Sequence, residues 1–175
     1  MPGSPSTHKK VAVRKLDNEL IKGYVNPQTY LGPQGVELLD REGRLVTIPL
    51  GSVKGIYFVR DFDTDEGRHE RKVFVSRPKL DGLWVRLTFK DGEILEGLMA
   101  GDLLATDPHG FSLTPPDFNS NHLRIFVPRS ALTALEVLGV ISNGARRRIH
   151  PRAAKRREEA AAGQIRLFPP APESE

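Results

Sequence analysis

The sequence has no cysteine among its 175 residues, which excludes disulfide bonds, thiolate metal sites and a thiol nucleophile. It has no apolar run near the roughly 20 residues that a membrane helix requires, and its first ten residues lack the apolar stretch of a secretory signal. We therefore expect a soluble, cytoplasmic, globular protein that makes no membrane contact.

Sequence motifs of nucleotide-binding proteins and hydrolases are absent as well. The sequence contains no G-x-G-x-x-G, no P-loop and no G-x-S-x-G motif. No two of its histidines have the spacing of a metal pair, and we expect solvated loop side chains at His8, His69, His109, His122 and His150. We predict no catalytic residue, no cofactor and no metal site, and an enzyme is the least favoured class.

The body of the chain lacks an excess of either charge. Residues 1–144 hold 18 basic and 18 acidic residues, whereas residues 145–175 hold eight basic and four acidic ones. The formal net charge of +4 therefore belongs to the C-terminal tail. The basic isoelectric point does not indicate a polyanion-binding surface on the folded part.

One pattern occurs twice along the chain. At an offset of 74 positions, Val11, Val13, Asp17, Glu19, Leu20, Ile21 and Gly23 match Val85, Leu87, Asp91, Glu93, Ile94, Leu95 and Gly97. Gly35-Val36 matches Gly110-Phe111 at offset 75, and IPLGSVKGIYFV from Ile48 matches VPRSALTALEVL from Val127 at offset 79. Constant strands separated by loops of different length indicate an internal duplication.

Each copy predicts five short strands. VAVRKL and LWVRLTFK alternate apolar and polar residues, and Asp17-Asn18 and Asp91-Gly92 suit a two-residue hairpin. A glycine then marks a sharp bend in the second strand, and a proline ends the fourth strand in each copy. Asp17, Glu19, Asp91 and Glu93 also resemble acid/base pairs, but turn capping explains them better.

We predict an all-β fold of two tandem five-stranded SH3-like or Sm-like small barrels, and whether their sheets stay separate or merge is left open. Residues 11–60 form the first barrel and residues 83–141 the second. Residues 1–10 are predicted as a disordered N-terminus and residues 61–82 as a linker, whose KVFV stretch could add an edge strand. Residues 142–175 form the basic tail. Trp84 and Phe89 flank a strand, where core packing is favoured over exposed stacking.

The segments VRKLDNELIKGYV, IPLGSVKGIYFVRDFD and DFNSNHLRIFVPRSALTALEVL resemble an uncharacterised bacterial family of paired barrel-like domains, some attached to PilZ-type signalling modules. The resemblance covers about residues 11–139 and implies a fold without an assigned activity. PilZ-type domains bind cyclic dinucleotides through an R-x-x-x-R arm and a second strand motif. RIHPR, from Arg148 to Arg152, has the form of the arm, but Asn119 and Ser120 do not supply the second motif.

More remotely, VRLTFKDGEILEGLMAGD with VPRSALTAL is similar to the Sm-like RNA-binding fold. Bacterial Sm-like proteins place a basic residue and a histidine late in this pattern. Here those positions are Arg129-Ser130 in the second copy and Leu50-Gly51 in the first. The resemblance therefore does not carry over the uridine pocket of that family.

The tail carries the predicted contacts with nucleic acid. Its basic residues precede the first acidic one and could neutralise several phosphates; they are Arg146, Arg147, Arg148, Arg152, Lys155, Arg156 and Arg157. The stretch RAAKRREEAAA favours a helix without a large apolar face, and a merely solvated helix is the alternative.

The stretch QIRLF near the C-terminus resembles the short peptide with which bacterial DNA-associated proteins dock on the sliding clamp. The resemblance implies partner contacts by Gln164, Ile165, Leu167 and Phe168. Two hypotheses follow: a non-enzymatic, nucleic-acid-associated binding or scaffold protein, or a signalling or protein-interaction adaptor whose tail is only a solubilising extension.

Overall fold

The computed structural model describes residues 8–62, 71–117 and 119–142, and these residues form an all-β structure. They contain two 3-10 turns, Leu50–Ser52 and Arg129–Ala131, and no α-helix. Eleven strands are present in the described residues: β1 (Lys9–Lys15), β2 (Leu20–Val25), β3 (Leu31–Gly32), β4 (Gly35–Asp40), β5 (Leu45–Ile48), β6 (Val53–Val59), β7 (Gly82–Phe89), β8 (Ile94–Met99), β9 (Gly110–Leu113), β10 (His122–Pro128) and β11 (Leu132–Ile141).

The strands form two open antiparallel sheets. The larger has the order β3-β4-β2-β1-β6-β10-β9, with β5 paired to the other side of β4, and the smaller has the order β11-β7-β8. The all-β prediction is confirmed. The described residues do not form closed barrels. The larger sheet continues from β6 of the N-terminal half into β10 of the C-terminal half, so neither half closes into a barrel of its own.

The N-terminal half (β1–β6) and the C-terminal half (β7–β11) pair their strands in matching registers over most of their length, although β11 has a second register shift, between Val137 and Gly139, without a counterpart in β6. Val11 lies opposite Gly23 and Phe58, and Val85 lies opposite Gly97 and Val137. These contacts match at the offsets of 74 and 79 seen in the sequence. Both first strands also show a register shift at the same point, where β6 and β11 begin.

The hairpin turns differ from the prediction by one residue. Lys15 N–H donates to Glu19 O and Asn18 N–H donates to Lys15 O, so three residues, not two, connect the strands. Asn18 has a φ of 69° and Gly92 a φ of 83°, as the third residue of such a turn requires. The Asp side chains cap the turns as predicted, because Asp17 and Asp91 accept bonds from the N–H groups two residues later.

Gly23 and Gly97 mark the points where β2 and β8 cross closely over a second strand. A Cβ on Gly23 would meet Leu39 O and the Leu38 side chain, and one on Gly97 would lie 3.0 Å from Leu113 Cβ. At these glycines, β2 turns from β1 towards β4, and β8 turns from β7 towards the bridge between Leu98 and Thr114. The bend inferred from the sequence is therefore a close backbone approach.

Two apolar cores lie on either side of the β6–β10 pairing, and Phe126 links them. Ile125 and Val127 on β10 pack in the core of the C-terminal half, whereas Phe126 points into the core of the N-terminal half. Its ring lies edge-on to Tyr30 at 6.0 Å. The halves therefore share their interiors.

The segment from 71 to 81 contains no strand, so the KVFV stretch does not add one. It is nevertheless attached to β8, because Glu96 N–H donates to Lys72 O and Phe74 N–H donates to the Glu96 carboxylate. The predicted boundaries of the N-terminal segment, linker and tail stay predictions.

Candidate functional site

All predicted site residues of the tail, from Arg146 to Phe168, lie outside the described residues. The phosphate-binding set and the QIRLF peptide therefore stay predictions. The site described below was not found from the sequence.

A cleft of about 330 Å³ lies between the two halves. Strands of both halves contribute to it, together with the segment that precedes β7. Its polar and aromatic lining residues are Arg14, Tyr57, Arg71, Lys72, Glu93, Asp117, Ser120 and His122. The sequence predicts no functional site in the body of the chain. The ionisable groups at this junction differ from that expectation.

One wall of the cleft combines aromatic rings with a cation. The rings of Tyr57 and His122 lie 4.7 Å apart at an interplanar angle of 43°. The Arg14 guanidinium lies 5.8 Å from the centre of the Tyr57 ring. These contacts exist because Arg14 and Tyr57 point to the same face of neighbouring strands and β10 brings His122 alongside β6. His122 was expected in a solvated loop, and that prediction is wrong.

A second part of the cleft lining carries a carboxylate between two ammonium groups. Glu93 accepts a bond of 2.7 Å from Lys54 Nζ and forms an ion pair of 3.0 Å with Lys72 Nζ. Burial raises the pKa of Glu93, but these two ammonium groups outweigh it and leave the pKa below its ordinary value. An ionised, doubly paired carboxylate is poorly suited to accept a proton.

Lys54 is the buried member of this network, with 2% of its side chain exposed. Its ammonium group contacts both Asp91 and Glu93 and lies 5.1 Å from the centre of the Phe89 ring. Burial lowers the pKa of Lys54, yet the hydrogen bonds to the two carboxylates prevail and hold the pKa above its ordinary value. Lys54 therefore joins β6 to the β7–β8 turn as a charged residue.

Beside the cleft, Glu96 fixes the segment that carries Arg71 and Lys72. Its carboxylate accepts bonds from Phe74 N–H, Trp84 Nε1 and Arg86 Nη2, at 3.1, 3.1 and 2.9 Å. Burial raises the pKa of Glu96, but these donors outweigh it and the pKa is lowered. Trp84 is thus held by a hydrogen bond and an edge contact with Phe74, while Phe89 is buried as expected.

The lowered pKa of Glu96 predicts a dependence of stability on pH. The unfolded chain binds a proton at Glu96 more readily than the folded chain. The stabilisation is therefore present above the unfolded pKa of about 4.3 and is lost as pH falls through the lower folded value. We expect Glu96→Gln to flatten the acid side of the pH–stability curve. Urea unfolding followed by the fluorescence of the single tryptophan, Trp84, measures it, and an unchanged acid slope would contradict it.

The described residues contain no group of three or more histidine, cysteine, aspartate or glutamate side chains that could hold a metal ion. No helix in the described ranges is long and apolar enough to span a bilayer.

The fold and the cleft define a class: an all-β protein of two open sheets, with halves of matching register around a cleft lined by cations and aromatic rings. The chain belongs to the family described as Family of unknown function (DUF6982), whose model matches residues 7–139. No curated protein and no solved structure matches the chain.

Proposed function

We propose that the protein is a non-enzymatic, cytoplasmic scaffold that binds single-stranded nucleic acid, with the inter-half cleft and the basic tail as its two contact regions. The observation that carries the proposal is the wall formed by Arg14, Tyr57 and His122. Aromatic side chains beside cations are how proteins stack bases and neutralise the backbone without reading sequence.

The charges around the cleft support the same assignment. Arg14 and Arg71 line it, and one of its two carboxylates, Glu93, is compensated by Lys54 and Lys72. The volume of about 330 Å³ suits one base or one nucleotide better than a duplex. The sequence adds the tail, whose seven basic residues before Glu158 would neutralise further phosphates.

The proposal includes two finer points. The halves would descend from one small-barrel unit similar to the Sm-like fold, opened where β10 joins β6. The terminal QIRLF peptide would dock on a sliding clamp through Gln164, Ile165, Leu167 and Phe168 and bring the scaffold to DNA.

Binding of labelled single-stranded oligonucleotides to the full chain tests the proposal. Each phosphate contact contributes about 0.7 to the slope of log affinity against log salt for single strands. We expect a chain ending at Gly144 to show a slope smaller by several units, because it lacks the basic arm. Arg14→Ala is expected to weaken binding roughly tenfold through loss of the stacked cation, equivalent to about 1.4 kcal/mol.

The matched control is Arg60→Ala, an exposed arginine that does not line the cleft and should leave the affinity unchanged. No binding by the full chain would contradict the proposal as a whole. Binding unchanged by truncation would remove the tail from it, and binding unchanged by Arg14→Ala would remove the cleft. Capture of purified sliding clamp by the full chain, lost in Phe168→Ala, tests the docking peptide.

A protein-interaction adaptor is the second candidate, and a separate groove favours it. The groove has a volume of about 510 Å³, lies along the segment before β7 and includes the exposed side chains of Val73, Val75 and Leu80. Arg77 and Lys79 add positive charge, so a short peptide with apolar and acidic residues would fit. In this alternative the partner would be of the kind of the PilZ-type modules attached to some members of the family that the sequence resembles. Val75→Asp would then abolish binding of this partner without affecting nucleic-acid binding.

A further inference from the structure

We infer that copies of this chain assemble head to tail, with the outer edge of β11 of one copy pairing antiparallel with the outer edge of β5 of the next. The inference is independent of nucleic-acid binding. It rests on a junction that the chain already makes once, between β6 and β10.

The internal junction uses strands that have counterparts elsewhere in the chain. β10 is the fourth strand of the C-terminal half. When the two-residue strand β3 is left out, β5 is the fourth strand of the N-terminal half. β6 and β11 are the last strands of their halves, and each follows a 3-10 turn at the same offset of 79. Within the chain, β6 and β10 pair with each other. The outer edges of their counterparts, β11 and β5, pair with no strand among the described residues.

Burial reflects this difference between the edges. Six of the seven residues of β6 are buried, whereas β11, its counterpart, has only Ile141 buried among ten. The β11 sequence LTALEVLGVI is apolar apart from Glu136 and two threonine or glycine positions, and Val137 and Val140 are 56% and 67% exposed. On β5, Leu45 is 72% exposed. Edge strands that are mostly apolar and carry few charges are templates for pairing with another chain.

The register follows from the internal junction. Arg124, Ile125 and Phe126 of β10 lie opposite Phe58, Tyr57 and Ile56 of β6. Transferred at the offset of 79, these pairs place Leu45 opposite Val137, Val46 opposite Glu136 and Thr47 opposite Leu135. Leu45 and Val137 would therefore cover each other, and they are the most exposed apolar side chains of these three pairs.

The carboxylates that would lie near the new junction already have a cationic partner within their own chain. At the internal junction, Lys54 of β6 reaches the carboxylates of the β7–β8 turn. The counterpart of Lys54 on β11 is Thr133, which carries no charge. The counterparts of the carboxylates are Asp17 and Glu19, and Lys15 of the same turn already pairs with both, at 3.2 and 2.5 Å. Contact between copies would therefore not leave these carboxylates unpaired.

A junction of this type joins two different surfaces, so it repeats until a ring closes or a filament grows. A second copy is favoured over other occupants because its β5 edge is the counterpart of the β10 edge, with which β6 already pairs in this register.

Light scattering after gel filtration of the full chain tests the inference. We expect a mass well above the 19.5 kDa of one chain, either as a discrete ring or as a series that grows with concentration. Leu45→Lys and Val137→Glu are each expected to reduce the assembly to monomers. The double variant is expected to restore it at low salt, because the two introduced charges would face each other across copies.

Leu104→Lys is the matched control, since it places the same charge on a fully exposed loop leucine away from both edges. Thermal unfolding of each variant verifies that the exposed substitutions leave the fold intact. A monomeric wild type would overturn the inference. So would loss of assembly in Val137→Glu alone, which indicates pairing of two β11 edges, or a folded double variant that stays monomeric.

Hydrogen exchange assigns the edge directly. Amide protection in β5 and β11 should rise with concentration in the wild type and not in Leu45→Lys. Protection of both strands in a monomeric wild type, lost in Phe168→Ala, would instead assign the edge to the chain's own tail and overturn the inference.

Discussion

Replacing Phe126 with alanine is expected to lower the free energy of unfolding by about 3–5 kcal/mol and to destabilise both halves together. Phe126 is 1% exposed and belongs to a strand of the C-terminal half, yet its ring fills the core of the N-terminal half beside Tyr30 and Phe58. Its loss would leave a cavity on one side of β10, while Ile125 and Val127 anchor the same strand on the other side.

Urea unfolding of the full chain measures this change through two signals. Fluorescence of Trp84 reports on the C-terminal half, and hydrogen exchange of β1 and β2 reports on the N-terminal half. The two signals should shift together to lower urea. If the alanine variant does not fold, Phe126→Leu should cost only about 1–1.5 kcal/mol by the same mechanism.

Thr47 provides the control, because it occupies the position equivalent to Phe126 on β5 and is exposed. Thr47→Ala should change the free energy of unfolding by less than about 0.5 kcal/mol. A comparable loss for both variants, or a loss confined to one signal, would contradict the shared interior.

The local structure of this protein could be predicted from its sequence because local signals specify it. Alternation predicted β1 and β7, and Asp91-Gly92 predicted a turn with a positive φ. Gly97 predicted a bend, since only a residue without a side chain permits the close approach to Leu113. The matching offsets in the sequence correspond to matching registers in the two halves.

The junction of the halves could not be predicted in the same way. Periodicity indicates which face of a strand is buried but not which other strand lies along its edge. Ile56 and Phe126 pair although 70 positions separate them. The sequence therefore predicted two small barrels and left open whether their sheets merge, whereas β10 continues the sheet of the N-terminal half.

The cleft depends on that junction, so it was missed as well. His122 was placed in a loop because its neighbours favour turns, and Lys54 carries no local sign of burial. Its partners, Asp91 and Glu93, are 37 and 39 residues away. The one available signal was an asymmetry: Lys54 has threonine as its counterpart, while the carboxylates are present in both copies.

Neutralising both partners of Lys54, by Asp91→Asn with Glu93→Gln, is expected to lower the free energy of unfolding by about 3 kcal/mol. Breaking a buried ion pair costs roughly 3–5 kcal/mol when one charge is left without a partner. We expect the lower end because half of the Asp91 side chain is exposed and water can approach the ammonium group from that side.

The equivalent pair in the N-terminal half is the matched control. Asp17→Asn with Glu19→Gln removes the same carboxylates from Lys15, whose side chain is 23% exposed, and should cost much less stability, because water replaces the lost partners. Lys54→Met should also cost little, because Asp91 keeps its access to water and Glu93 keeps Lys72. Equal losses in the two double variants would contradict burial as the cause.

The pH dependence of the Asp91→Asn, Glu93→Gln chain separates an unpaired charge from a packing defect. In the wild type the pKa of Lys54 is raised, so its stabilisation is present below the unfolded pKa and is lost as pH rises through the folded one. Without its partners, burial should depress the pKa, and the unfolded chain would then bind the proton more readily. The stability of the variant should therefore rise from neutral pH towards about pH 10, where Lys54 folds without its charge. A variant that is weakened equally at all these pH values would show that Lys54 is not held as a buried cation at the junction.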